Sequence, residues 1–339
     1  MSRIPSKTRQ RVEQNTTEWV GINRVICGDS REVLQRIRPD SIALSVWSPP
    51  YFVGKSYERH LSYEDWEALL RDVIAQHTRI LRPGAFMAVN IADILCYPDT
   101  SIPRFQAENV VSKNRLPVTR EAILKILERQ PSLNRYEIAE RLGVSEQTVD
   151  RRLKNNNIRG GKHSPQTRVK LTGHLVEDFA YRSGLYLYDR RVWAKDPAWE
   201  NSRWHSNSYR AVDEFEHIYI FWKPGITKVD RARLSREEWS RWGSRAVWHF
   251  PSVRTNDDHE AKFPSELPRR LVRLLTEPGD VVLDPFAGSG TALVTAIELG
   301  RAFLGVELQP TYAALAHRAC MKATQSMAHG LWTNPARSG

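Results

Sequence analysis

The chain has 339 residues, 26% of them charged and 41% hydrophobic, which fits a globular α/β domain with room for an insertion. Its net charge of +11 favours polyanionic partners, nucleic acid first among them. No apolar run reaches membrane-spanning length, and Cys27, Cys96 and Cys320 are too few and too scattered for a disulfide framework or a Cys-x-x-Cys metal site, so a reducing cytoplasm and a metal-free protein are expected.

Residues 1–20 are expected to form a flexible basic tail, because they carry charge but no apolar signal-peptide core. From 21 to 111, strand and helix signals alternate. Arg24-Val25-Ile26-Cys27 is a short apolar run that stops at Gly28-Asp29, 31–37 has helical spacing, and 41–47 is a buried-strand run stopped by Pro49-Pro50. The stretch 63–81 predicts an amphipathic helix with Trp66, Leu69, Leu70, Val73, Ile74, His77 and Ile80 on one face, ended by Pro83-Gly84. Apolar residues 85–91 read as the next strand. This alternation implies a mostly parallel sheet covered by helices. Between 112 and 170 the pattern changes to three helices, near 119–129, 135–142 and 146–155, followed by a polar linker. Here 14 Lys and Arg face 6 Asp and Glu, so this inserted all-α module holds a net +8. The sheet pattern resumes from 171 to 325. It brings a helix at 174–181, strands at 185–194 and 217–222 joined as an antiparallel return, and an irregular Arg- and Trp-rich stretch at 225–251. A helix at 264–275, a strand at 281–283, a helix at 291–299, a strand at 302–306 and a helix at 311–322 follow, and 326–339 is expected to be a flexible tail.

Two motifs carry chemistry. Val281-Val282-Leu283-Asp284 leads through Pro285-Phe286-Ala287-Gly288-Ser289-Gly290-Thr291 into a helix. Glycines at a strand-to-helix turn let backbone approach a ligand, and the helix start offers free amides. Glu307 closes the next strand, where a carboxylate can accept hydrogen bonds from two ribose hydroxyls. The third glycine of the dinucleotide fingerprint is missing, which argues against a nicotinamide dehydrogenase. Much earlier, Ser48-Pro49-Pro50-Tyr51 ends a buried strand. Its prolines fix φ and are expected to leave their carbonyls without intrachain partners, so that a serine hydroxyl and a proline carbonyl face the N–H bonds of an exocyclic amine. Tyr51 suits stacking on a base taken out of the duplex.

With these blocks the sequence resembles the bacterial amino-methyltransferases of DNA that use S-adenosylmethionine, in the order of their β subgroup, over nearly all the chain outside the insert. Cys27-Gly28-Asp29-Ser30 is similar to the block whose acid contacts the cofactor adenine, here Asp29. Ser48, Pro49, Pro50 and Tyr51 match the catalytic block in the form most typical of cytosine-N4 enzymes. His259-Glu260-Ala261-Lys262-Phe263-Pro264, with Leu267, matches the block around the methionine end of the cofactor. Asp284 to Thr291 match the cofactor loop and Glu307 the ribose acid. The resemblance implies a Rossmann-like methyltransferase sheet, mostly parallel with one antiparallel strand, S-adenosyl-L-methionine as cofactor and no metal.

Residues 135–153 resemble a helix-turn-helix. Ala139 is small where two helices cross, Gly143 permits the turn, and Ile138, Leu142, Val144 and Val149 form its core. The second helix is expected to present Ser145, Gln147, Thr148, Arg151, Arg152 and Lys154 to duplex DNA. This departs from the β subgroup, where target recognition usually follows the position of Trp222. Here 225–248 is short, so it either works with the insert or has yielded recognition to it.

The reading that emerges is a site-specific methyltransferase of duplex DNA acting on the N4 amine of cytosine, by base flipping, within a restriction-modification system that includes a cognate endonuclease. Ser48 in place of Asp favours cytosine; N6-adenine methylation uses the same amine chemistry. A non-catalytic helix-turn-helix regulator on a methyltransferase scaffold and an RNA amino-methyltransferase are the other readings. A helix-turn-helix fits B-form grooves better than A-form ones, which favours DNA.

Overall fold

The computed structural model describes residues 19–52, 61–98, 118–154, 167–197, 211–253 and 264–332. Two compact units result: one combines 1–94, 171–196 and 214–339, the other 95–170 and 197–213.

The first unit is built on an eight-stranded sheet in the order β1-β10-β9-β2-β3-β7-β6-β8. Its strands are β1 (Arg24–Cys27), β2 (Ile42–Trp47), β3 (Leu81–Ile91), β6 (Tyr186–Ala194), β7 (Phe215–Trp222), β8 (Val247–His249), β9 (Val281–Asp284) and β10 (Ala302–Glu307). Its helices are α1 (Ser30–Val33), α2 (Tyr63–Ile80), α6 (Thr172–Arg182), α7 (Arg236–Glu238), α8 (Glu266–Leu275), α9 (Thr291–Glu298) and α10 (Pro310–Trp332). All described strand pairings are parallel except those of β7, which runs against both β3 and β6. This is the doubly wound, mostly parallel sheet that the alternating pattern predicts. Helix α2 buries Trp66, Leu70, Val73, Ile74, His77 and Ile80, while Leu69 lies half-buried. A capping box at Ser62 and Asp65 fixes its start. On one sheet face, Leu44, Val46, Ala88, Ile218, Ile220 and Val282 share a core with Leu267 and Leu271 of α8 and Leu293 of α9.

Several boundaries differ from expectation. Strand β3 begins at Leu81, straight after α2, and runs through Pro83-Gly84. Leu81 pairs with Ile42, and the register shifts before Leu44 meets Phe86, so the Pro-Gly pair is absorbed as an irregularity. Gly84 takes φ +81°, and a Cβ there would stand 2.2 Å from the Ile226 carbonyl oxygen. The stretch 225–251 is not wholly irregular: it holds α7, a π turn at Trp239–Gly243 and edge strand β8. Helix α10 continues to Trp332, through seven positions expected in the C-terminal tail. Residues 1–18 and 333–339 lie outside the described residues.

The second unit contains β4 (Ile94–Pro98) and β5 (Thr167–Lys170), which form a two-stranded sheet, and the helices α3 (Arg120–Arg129), α4 (Arg135–Leu142) and α5 (Glu146–Leu153). The unit therefore begins at 95 rather than 112 and also takes in 197–213. Its helices close over Val118, Ile123, Ile138, Ala139 and Val149, with Leu142 and Val144 half-buried at the margin. Gly143 ends α4 at φ +60° and its amide returns to Glu140, which lets α5 start three residues later.

Among the described residues no helix is long and apolar enough to cross a membrane, and no cluster of three His, Cys, Asp or Glu could hold a metal ion.

Candidate active site

Strand order gathers the distant motifs on one edge of the sheet. Cys27 pairs with Glu307, Gly305 with Asp284, Ser45 with Leu283 and Trp47 with Val89. Asp29, Glu307, Asp284 and Ser48 therefore stand at the carboxyl ends of four adjacent parallel strands, where doubly wound sheets bind ligands. Because β7 runs the other way, its first residues reach the same edge, beside Asn90 near the end of β3.

The loop after β9 is shaped by its backbone. Gly288 and Gly290 have φ +51° and +87°, and a Cβ on Gly290 would crowd Ala316 at 3.1 Å. Helix α9 starts at Thr291 without a side-chain cap, so its first amides have no side chain across them. The Gly288 amide donates to Glu307 Oε2 and the Gln309 amide to Oε1, both at 2.8 Å. Ala287 is tied to Val306 through its amide, Ser30 donates to the Pro285 carbonyl, and the Phe286 ring centroid lies 5.4 Å from that of Trp47.

Asp284 is buried and accepts the Phe286 amide at 2.9 Å. Burial pushes its carboxyl up to about 8, with nearby Glu307 adding to the rise; burial raises Glu307 too, against the pull of its backbone amides. The folded protein therefore holds a proton on Asp284 that the unfolded chain has lost once pH exceeds about 4. The stability this gives is full below that pH and is lost as pH rises to about 8, at up to roughly 1.4 kcal/mol per pH unit. Asp284→Asn is expected to flatten this slope, so urea denaturation at pH 5.5, 6.5 and 7.5 should show the variant gaining on the parent as pH rises. A constant offset would show that Asp284 does not titrate in that window.

Asp29 caps α1, and both its oxygens are engaged by Arg31, which holds its carboxyl below the usual range. Pro264 lies just before α8, whereas Phe263 and 259–262 fall outside the described residues. The set suits S-adenosylmethionine, the cofactor implied by the resemblance: Glu307 retains acceptor capacity for ribose hydroxyls, and buried Asp284 and Glu307 favour a positively charged ligand.

The catalytic loop is held by an unforeseen network. Ser48 Oγ lies 2.6 Å from the Tyr51 hydroxyl and 2.9 Å from the Asn90 carbonyl. The Tyr51 hydroxyl donates to Glu216 Oε2 at 2.7 Å, Asn90 Nδ2 donates to both, and Lys195 Nζ meets Glu216 Oε1 at 2.7 Å. The expectation of two unpartnered proline carbonyls needs correction. The Pro50 carbonyl accepts the Trp66 indole N–H at 2.6 Å, while the Pro49 carbonyl has no hydrogen bond among the described residues. Asn90, Glu216, Lys195 and the polar role of Trp66 were not foreseen; the signal was a polar residue inside otherwise apolar strand runs.

The sequence profile of the N6/N4 DNA methylases matches residues 42–318. The chain belongs to the N6/N4 DNA methylase family. The methylase is 59% identical over 291 residues to the type II methyltransferase M.BglI of Bacillus subtilis, covering 86% of this chain and 83% of that one. Its fold matches the DNA modification methylase TTHA0409 of Thermus thermophilus in complex with S-adenosyl-L-methionine, at a TM-score of 0.58 and 26% identity, over 89% and 95% of the two chains. It also matches the cytosine-N4-specific PvuII DNA methyltransferase at a TM-score of 0.52 and 17% identity, over 93% and 95%, a likeness of fold.

In the second unit of the methylase, the six residues expected on DNA divide. Ser145, Arg151 and Lys154 are exposed, while Gln147, Thr148 and Arg152 are half-buried. Ser145 caps α5 through the Thr148 amide, and Lys154 is paired with Asp150, which also holds Arg135.

Proposed function

We propose that this methylase uses S-adenosyl-L-methionine to methylate the N4 amine of cytosine in duplex DNA at a specific site, as the modification half of a restriction-modification system. The observation that carries the reading is Ser48 beside the open Pro49 carbonyl, at the end of a strand paired with the one leading into the cofactor loop. When bound, the cofactor supplies a methyl group on a sulfonium sulfur, whose C–S bond breaks as the C–N bond forms. Ser48 Oγ and the Pro49 carbonyl accept the two amine N–H bonds, which turns the nitrogen lone pair out of conjugation and toward the methyl. The nitrogen then sheds a proton to water. Asp284, the Gly288-Ser289-Gly290 turn, Glu307, Asp29 and the Phe263-Pro264 block are the proposed cofactor residues.

Mass spectrometry of nucleosides from DNA incubated with the methylase and labelled cofactor tests the assignment. N4-methylcytosine is expected; N6-methyladenine alone would move the target to adenine, and no label in DNA would leave the regulator reading.

In this reading α4 and α5 form a helix-turn-helix that holds the duplex. Arg151→Ala is then expected to weaken binding evenly across sequences and to lower the salt slope of log K by about one. An unchanged slope would return recognition to 225–248.

A further inference from the structure

Ser48 can serve a target amine only if its hydroxyl hydrogen points inward and its lone pairs outward. A hydroxyl is both donor and acceptor and rotates to suit its partners, so something must fix its direction. The polar row across the sheet edge contains such a device. Ser48 follows β2, Asn90 lies on β3, Glu216 on β7, and Lys195 follows β6, one from each of four adjacent strands. Asn90 and Glu216 are buried, and the Lys195 and Glu216 side chains pair where solvent screens little.

We propose that Glu216, anchored by Lys195, is a positioning residue that sets the direction of hydrogen bonding through Tyr51 to Ser48. In its ion pair with Lys195, the carboxylate offers acceptors only. The Tyr51 hydrogen must therefore point at Glu216 Oε2, 2.7 Å away. That leaves the Tyr51 oxygen as an acceptor, facing Asn90 Nδ2 at 2.8 Å and Ser48 Oγ at 2.6 Å. The Ser48 hydrogen then has two inward acceptors, the Tyr51 oxygen and the Asn90 carbonyl, and its remaining lone pairs face the amine. Without Glu216 as acceptor, Tyr51 can turn its hydrogen toward Ser48, and Ser48 can turn its own toward the amine N–H, donor against donor. Charge-assisted bonds are the stronger ones, so the charged end of the chain decides its polarity.

This inference rests on the catalytic assignment of Ser48, and the experiment separates the two. Single-turnover transfer of labelled methyl would be measured for Ser48→Ala, Tyr51→Phe, Glu216→Gln and the double variant Tyr51→Phe/Glu216→Gln, with cofactor affinity by calorimetry and folding by thermal melting. Glu216→Gln is expected to slow transfer roughly tenfold with KM for cofactor and DNA unchanged, because its amide can donate to Tyr51 and reverse the chain. In the Tyr51→Phe background it should add nothing, since the link is already cut. Multiplying losses, or a change in KM with unchanged kcat, would overturn the positioning role. Full activity in Ser48→Ala would instead overturn the catalytic assignment beneath it. Should Glu216→Gln not fold, Lys195→Met takes its place: a several-fold loss that disappears in the Tyr51→Phe background supports the role, and an additive loss overturns it.

Discussion

Ser48→Ala is expected to lower kcat for methyl transfer by about 10²-fold or more, with cofactor and DNA affinity within a factor of two or three of the parent. The expectation follows from when the serine acts. Its Oγ lies beyond the end of a strand that is fully buried, in a loop fixed by the bond from Trp66 to the Pro50 carbonyl, so removing one oxygen leaves the backbone in place. What disappears is one of two acceptors for the amine hydrogens. Bonds of this kind strengthen as positive charge develops on nitrogen, and deleting one preorganised polar partner of a transition state typically costs 10²–10³ in rate. The alanine also leaves the Tyr51 hydroxyl and the Asn90 carbonyl short of a partner, though both retain others. Rapid-quench single turnovers isolate the chemical step. A rate within threefold of the parent would remove Ser48 from the reaction and leave the Pro49 carbonyl as the amine acceptor.

Glu307→Ala should raise the dissociation constant for S-adenosylmethionine by roughly 10²-fold or more while leaving the fold intact. A carboxylate accepting two ribose hydroxyls contributes about 1.5–3 kcal/mol per charge-assisted bond, and one such bond already accounts for a tenfold effect. The side chain also orders the loop itself, since its two oxygens hold the Gly288 and Gln309 amides. The same carboxyl is raised by burial, so its removal relieves a cost in the free protein. Affinity and stability should therefore part company, with weaker binding and a melting temperature that falls little. Calorimetric titration checks the first and thermal denaturation the second. Unchanged affinity would mean that the ribose is held elsewhere.

How much of this could be read in the chain depended on whether the relevant contact was local. Asp284, Gly288, Gly290 and Glu307 are legible because a strand, a turn with positive φ and the next strand follow one another, and short-range rules place them. The helices α3 to α5 and the buried face of α2 were legible for the same reason. The Glu216 network was not, because strand periodicity says which face a residue occupies but not which strands are neighbours. Ser48, Asn90, Glu216 and Lys195 come together only through the β2-β3-β7-β6 order. Strand β8 has three residues, too few for alternation to register, and the Pro83-Gly84 pair reads as a stop although β3 passes through it. The C-terminal limit of α10 was missed because 326–332 is mostly small and polar around Gly330. The Trp66 indole was counted as core, and burial patterns do not report that a buried N–H must find an acceptor.

The two strands that flank the helical unit carry a last consequence. Because β4 and β5 lie side by side, the chain leaves for the helices and comes back through one narrow doorway, with strand backbones about 4.8 Å apart. A module joined at a doorway can be traded as a cassette: another reader of about the same chain separation at its ends can be spliced there without disturbing a single rung of the eight-stranded ladder. The arrangement separates heredity of chemistry from heredity of address, so that related enzymes can keep one reaction while their target sites diverge.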